Sequence, residues 1–357
     1  MTIIGGVDRI AHLAELEARG RARAHERLAE AGQARATARH DALAVRSGQV
    51  VMRPPRQPVD GGQLLADTVA GLRHFAVWPS ESALLTAALW AIQSHARAGT
   101  GLPVWQYSPR LFFTSAEGGS GKSWMTRLVL RLAPQGKMLV EATKASLVGF
   151  IAEHATVGVT ELDVLVGTGG RSRWFTAIAN GGFDPEPTTS KMVGGKKLEI
   201  PLFGPMVLDG LDSVITSTGL ELRTLMSRCI IIRVRRAPEG YRAPRFDGQA
   251  REAFARHSAK LGAWMAQEVR GGIGEAVPDV PDGLGCRPAA LWEPLLCVAD
   301  RAGGEWPRRA REACADLEAA SGVDEDDAAE AAYRSVFDAW ATDGADEDGE
   351  LFSWGQP

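Results

Sequence analysis

Cysteine is scarce. The 357 residues hold four, Cys229, Cys286, Cys297 and Cys314, with no CxxC pair and no histidine at metal-ligand spacing. That pattern excludes a disulfide framework and a zinc site of the usual kind, and reduced thiols are expected. No run of eighteen apolar residues occurs, and the first residues lack the charged, apolar and small-residue succession of a secretory signal. No membrane partner is expected, and the cytoplasm is the expected compartment. No internal repeat is apparent, nor any basic motif interleaved with aromatics that would mark a nucleic-acid-contacting loop.

What is present is the balance of a globular chain, 45% hydrophobic and 24% charged, long enough for one large or two ordinary domains. The formal charge of -4 conceals ends of opposite sign. Residues 1–56 carry ten arginines against six carboxylates, whereas residues 324–357 carry eleven carboxylates against Arg334 alone. Either each end is a solvated segment, or the acidic tail competes with an anionic partner such as nucleic acid.

The alanine-, arginine- and glutamate-rich stretch 8–46 reads as helix, and with the prolines Pro54, Pro55 and Pro58 it predicts a basic helical arm and linker over 1–58. Residues 63–98 predict two amphipathic helices forming a lid ahead of the core, with Pro79-Ser80 capping the second. Apolar runs at 110–115, 137–141, 155–159, 202–208 and 229–234 have strand character, with helical stretches between most of them. This alternation predicts an α/β fold, a mostly parallel sheet covered on both faces. The expected division is a core with leading helices over 59–240, a helical C-terminal region over 241–322 and an acidic tail over 323–357.

Strand 110–115 runs into Ala116-Glu117-Gly118-Gly119-Ser120-Gly121-Lys122-Ser123, and a helix is expected over 123–132. A glycine turn between strand and helix aims backbone N–H groups, with the positive end of the helix, at one point, an arrangement that binds phosphate. The pattern predicts a P-loop for ATP: the glycines admit the phosphates, Lys122 reaches the β- and γ-phosphates, and Ser123 ligates Mg2+. Ala116 stands where the strict pattern has glycine.

Hydrolysis needs a carboxylate for the metal and another for the attacking water. The segment Val157-Gly158-Val159-Thr160-Glu161-Leu162-Asp163 reads as a strand ending beside the P-loop, with Glu161 the expected base. Thr160 occupies the metal-side position without a negative charge, and Asp163 is the fallback carboxylate. Asp209 or Asp212, after a second apolar strand, could sense the γ-phosphate or simply form the turn before and after Gly210. Arg223 and Arg228, on a helix expected over 220–228, read either as surface residues or as a finger reaching a neighbour's nucleotide.

Taken together, Ala88-Leu89-Trp90 with His95, Ser108-Pro109-Arg110-Leu111, Phe203-Gly204-Pro205, the run 227–236, Trp292-Glu293-Pro294-Leu295-Leu296 and the run 299–307 resemble the helicase-like ATPases of phages, prophages and plasmids. That family is often fused to primases and is catalogued as a domain of unknown function. The resemblance covers roughly residues 63–320. It implies an AAA-like or RecA-like P-loop NTPase core working on DNA as a homo-oligomer, possibly a ring, in replication of a mobile element. It also implies phosphate and Mg2+ roles for Lys122 and Ser123, a place in the acidic pair for Glu161, and the family's arginine at Arg228. Two departures stand out: the family's Asp-Glu pair is Thr160-Glu161 here, and no primase domain is found in these residues.

The expectation is therefore a DNA-dependent ATPase. A nucleotide-gated scaffold with poor hydrolysis is the alternative, motivated by Thr160, and a small-molecule kinase is a third reading. Arg171, Arg173, Lys191, Lys196 and Lys197 are the basic candidates for DNA. The last three sit in a stretch, 184–197, whose Pro185, Pro187, Gly194 and Gly195 predict a mobile loop facing a polyanion.

Overall fold

The computed structural model describes residues 60–97, 103–166, 173–193, 196–215, 220–237, 239 and 241–320. The expected basic arm, the acidic tail and Arg171 lie outside the described residues. Two capped helices open the described chain. Asp60 accepts the Gln63 amide at the start of α1 (Gly61–Phe75), and Ser80 accepts the Ala83 amide at the start of α2 (Glu81–Gln93). The cap at Ser80 is where the sequence put it, but the lid is not. Every residue of α2 from Ala83 to Gln93 is buried, because the run Ala83-Leu84-Leu85-Thr86-Ala87-Ala88-Leu89-Trp90-Ala91-Ile92 is apolar all round rather than amphipathic.

The central sheet holds β1 (Arg110–Ser115), β2 (Lys137–Leu139), β3 (Val157–Val159), β6 (Met206–Leu211) and β7 (Cys229–Arg233), all parallel, in the order β2-β3-β6-β1-β7. Alternation along each strand divides two cores. Leu111, Phe113, Val207, Ile230 and Ile232 join the core made with α1, α2, α3 (Lys122–Leu132), α8 (Gly248–Arg270), α9 (Cys286–Ala302) and α10 (Trp306–Ala320). Phe112, Met206, Leu208, Cys229 and Ile231 join the other, with α4 (Lys144–Ala152), α5 (Leu162–Val166), α6 (Arg173–Gly181) and α7 (Leu220–Met226). The fold is thus α/β with helices on both sides of a parallel sheet, and the helices before and after the sheet share one core. Among the described residues no helix is long and apolar enough to cross a membrane.

Helix α3 lies close on the sheet because Gly158 has no side chain. A Cβ there would stand 2.4 Å from Leu130 Cδ1 and 3.3 Å from Thr126 Cγ2. The stretch expected as a loop is instead largely an antiparallel hairpin, β4 (Thr188–Val193) with β5 (Lys196–Pro201), pairing Lys191 with Leu198 and Met192 with Lys197. Thr188, Thr189, Val193 and Ile200 supply β-formers, and Gly194-Gly195 is a hairpin signal that the loop reading passed over. Ile200 is buried at the hairpin's base, whereas Met192 and Leu198 are 65% and 52% exposed.

The N-terminal edge of the sheet is tied tightly. The buried Arg110 guanidinium donates to the carbonyls of Ala179, Ser108 and Gly204, and to Ser108 Oγ. Trp90 Nε1 donates to Pro109 O at 2.9 Å, Ser108 N to Phe183 O at 2.9 Å, and Tyr107 stacks on Phe183. Three motifs far apart in sequence, around Trp90, Arg110 and Gly204, therefore meet at one place.

Candidate functional site

Parallel strands bring their C-terminal ends to one edge, and there the glycine loop 116–121 joins β1 to α3. Gly119 and Gly121 have φ of +75° and +96°, values that favour residues without a Cβ. Added Cβ atoms at Gly118 or Gly121 would meet nothing within 4 Å, so the loop is open on its outer side. Gly121 is the N-cap of α3 and no side chain caps the helix; Trp124 and Met125 both donate to Gly121 O, at 3.0 Å. The amides of Lys122 and Ser123 are the first-turn donors that a helix leaves without internal partners. Lys122 Nζ folds back over the loop, donating to Ser115 Oγ at 2.6 Å and Glu117 O at 3.2 Å, and Ser120 Oγ also donates to Ser115 Oγ.

The strand order changes which carboxylate faces this loop. The sequence reading put 157–163 beside the P-loop, but β6 lies between β3 and β1. Asp209, on β6, is 1% exposed, and its Oδ1 accepts from Ser123 Oγ at 3.0 Å and from the Glu161 amide at 3.4 Å. Its Oδ2 is buried with no hydrogen-bond partner among the described residues. Thr126 Oγ1, also buried and without a partner of its own among the described residues, lies beside this carboxylate and favours its ionised form. Burial raises the Asp209 pKa above the usual carboxylate range, while the Thr126 and Ser123 hydroxyls, the Glu161 amide and Lys122 work against that shift. Thr160 is buried one strand further out, and its hydroxyl donates to Leu139 O at 3.3 Å.

Glu161 immediately precedes α5 at the end of β3, its carbonyl accepting the Val164 and Leu165 amides, with an exposed side chain and φ of +56°. Left-handed backbone in a residue with a Cβ costs roughly 1–2 kcal/mol, and here it turns the chain so that Glu161 stands at the edge. Asp163 is committed elsewhere: its Oδ1 accepts the Leu211 amide at 3.0 Å and so holds the end of β6. Asp212 accepts from Thr114 Oγ1 at 2.7 Å across the ends of β1 and β6.

Arg236, which the sequence reading gave no role, follows β7 out of the same edge, and its Nη2 donates to Gly118 O at 3.4 Å. An open cleft of about 210 Å3 beside the loop is lined by Ala76, Val77, Gly121, Trp124, Arg236 and Tyr241 among others. Their signal was positional: residues just past a strand parallel to β1 must emerge beside the loop that follows β1.

Arg228 sits at the opposite edge, ahead of β7, and the backbone pairing of Arg110 N with Arg228 O marks that position. Five strand residues at about 3.3 Å each separate it from the loop end of the sheet. It is half-buried, its Nη1 donates to Thr224 O at 2.9 Å, and it shares the Phe183 ring with Arg287. Burial and Arg287 lower its pKa. Arg223 lies on α7. On the hairpin, Lys191 is exposed and Lys197 pairs with Glu199 at 3.3 Å; the Lys196 side chain lies outside the described residues. Among the described residues no group of three or more His, Cys, Asp or Glu could hold a metal. The buried thiols of Cys229 and Cys297 are pushed up to about 12, chiefly by burial, and so are poor nucleophiles.

Residues 233–342, a little under a third of the chain, match the family model described as "Protein of unknown function (DUF3631)". The match begins at the end of β7 and takes in Arg235, Arg236 and helices α8 to α10. The chain is also 45% identical over 84 residues to the "Uncharacterized 28.9 kDa protein in xis 5'region" of Saccharopolyspora erythraea. That stretch is 23% of this chain and 30% of the relative's length.

Proposed function

We propose that the chain is a P-loop ATPase, with an AAA-like or RecA-like core, that binds ATP with Mg2+ at the glycine loop and acts on DNA as a homo-oligomer. The observation that carries this reading is the junction of β1, the open glycine loop and α3, with Lys122 over the loop and Ser123 joined to a buried carboxylate. The residues fit the ligand. Glycines leave room, two helix amides and Lys122 supply positive potential, and Asp209 Oδ2 is a buried oxygen that lacks a donor among the described residues. Bound Mg2+ would neutralise charge developing on the phosphates. The chain's own residues do the rest. Lys122 releases Ser115 and turns to the phosphates, and Glu161 holds and deprotonates the attacking water. The apolar cleft by Trp124 and Tyr241 receives the base, and Arg236 closes over the loop.

The hairpin supports the DNA part of the proposal. Its free end presents Lys191, Lys197, Met192 and Leu198 on a narrow ribbon, cations for phosphates beside apolar side chains for bases or sugars. The relative's name, a protein of a xis 5′ region, is the pointer to a mobile-element setting. ATP turnover measured with and without single- and double-stranded DNA, alongside a mass measurement in nucleotide, tests the reading. Turnover stimulated by DNA in an oligomer is expected. Tight ATP binding with negligible turnover would instead select the nucleotide-gated scaffold that Thr160 suggested. Neutralising Lys191, Lys196 and Lys197 together should weaken DNA binding and flatten its salt dependence, by roughly 0.7–0.9 in log–log slope for each phosphate no longer neutralised. Unchanged slope in the triple variant removes the hairpin from the interface.

A further inference from the structure

We infer that Asp209 is the metal's carboxylate, having taken over from the neighbouring strand the role that Thr160 cannot fill. The inference rests on the proposed nucleotide site and deepens it. Two observations converge. The Ser123 hydroxyl, which the loop pattern assigns to the metal, is bonded to Asp209 at 3.0 Å, whereas the Thr160 hydroxyl is turned to Leu139 O on the far side of β3. Asp209 is 1% exposed, yet among the described residues Oδ1 holds both of its hydrogen bonds and Oδ2 has none, with the buried Thr126 hydroxyl the nearest further group that favours its charge. A buried carboxylate oxygen without a donor is costly to keep, and a cation shared with Ser123 would satisfy it. The same edge carries no cluster of three metal-binding side chains among the described residues. A metal here must therefore borrow ligands from a polyphosphate, as Mg2+ does when it keeps one protein carboxylate and completes its shell with phosphate and water.

The topology makes the exchange possible. Because β6 separates β3 from β1, a carboxylate in the middle of β6 faces α3 directly, and one at the end of β3 approaches from a strand further away. The Glu161 amide bonds the same Asp209 oxygen, so the two acidic residues of the site are coupled although they come from different strands.

The experiment follows Mn2+ by its electron paramagnetic resonance signal, using the full chain with a saturating non-hydrolysable ATP analogue, and measures analogue affinity separately in EDTA. Wild type, Asp209→Asn and Thr160→Val are compared. Asp209→Asn is expected to weaken Mn2+ retention at least tenfold while binding the metal-free analogue as well as wild type or better. Thr160→Val is expected to stay within twofold in both measurements. Mn2+ retention within twofold in Asp209→Asn, or a loss in Thr160→Val as large as in Asp209→Asn, overturns the assignment and leaves the nucleotide site standing. Failure of Asp209→Asn to bind the metal-free analogue also overturns it, since Asp209 would then be holding the loop rather than a metal. A wild type that binds no analogue under either condition overturns the nucleotide reading and this inference with it.

Discussion

At the N-terminal edge of the sheet, one guanidinium, that of Arg110, donates to Ser108, Ala179 and Gly204 and closes three segments together. At the C-terminal edge, a few strand residues away, Gly118 and Gly121 face open space, Lys122 bonds Ser115 and Glu117 beside its own loop, and among the described residues Asp209 keeps a buried oxygen with no donor. The first edge commits its guanidinium to neighbouring carbonyls, with Asn180 Oδ1 and Arg228 Nε as exceptions that have no partner among the described residues, and the second leaves its loop and carboxylate uncommitted. This contrast teaches where binding can occur, because an interior group already satisfied has nothing to offer a ligand. Arg228 complicates the division. It belongs to the closed edge, so within one chain it is remote from the loop, and only a neighbouring copy could bring it there.

The sharpest way to break the contrast is to test that arginine. Arg228→Ala should bind ATP normally and lose about 10³–10⁵ in turnover, the range for an arginine supplied across an interface. Mixing it with Lys122→Ala should restore part of the activity, since an intact loop then borders an intact arginine. Full activity of Arg228→Ala alone, at a dilution where the protein is monomeric, would confine catalysis to the open edge. Glu161→Gln keeps the shape and loses the base, and should cut turnover by roughly 10²–10⁴ with nucleotide binding retained. Surviving hydrolysis would move the base elsewhere, and Asp163 is a poor successor because the Leu211 amide occupies it.

Stability should show the reverse pattern. Arg110→Met leaves several buried carbonyls without donors and should cost about 3 kcal/mol in denaturant unfolding, while Lys122→Met should change stability little. Equal losses in the two variants would erase the distinction between the edges. A subtler probe is His95, whose buried Nε2 donates to the Leu132 carbonyl at the C-terminal end of α3. Burial pushes its pKa from 6.5 to about 4. The unfolded chain therefore takes up the proton first as pH falls. The contribution is full above about pH 6.5, declines as acid is added and is gone below about pH 4, amounting to roughly 3 kcal/mol at most. His95→Gln should flatten that acid limb, as followed by unfolding at several pH values; His257, also lowered by burial, leaves a smaller residual slope.

Much of this is legible in the sequence. Strand 110–115 matches β1 residue for residue, and the helix expected over 123–132 begins one residue earlier. A hydrophobic run bounded by a glycine turn is local information, and local chemistry fixes it. Strand order is not local. That β6 enters between β3 and β1 depends on which apolar faces the crossover helices cover, so the sequence reading set Thr160 beside the loop and gave Asp209 only a sensing role or a turn. Arg236 was missed for the same reason. The burial of α2 was misjudged differently: a helix apolar all round has no face from which orientation can be read, and the α9 and α10 helices that cover it lie two hundred residues downstream. The hairpin was missed because glycine and proline outweighed the β-formers Thr188, Thr189 and Val193.

Gly158 gives the site a mechanical side. Its missing methyl sets how near α3 rides to β3, and α3 carries Lys122 and Ser123 at one end and meets His95 at the other. Helix and sheet thus behave as a beam resting on a support of fixed height, with the loop at the overhanging tip. An added carbon at Gly158 would lift the beam against Leu130 and Thr126, and a fraction of an ångström at that support would be felt as a change in reach at Ser123. The spacing between the loop and Asp209 is therefore set along the sheet-facing side of the helix, by an atom that is not there.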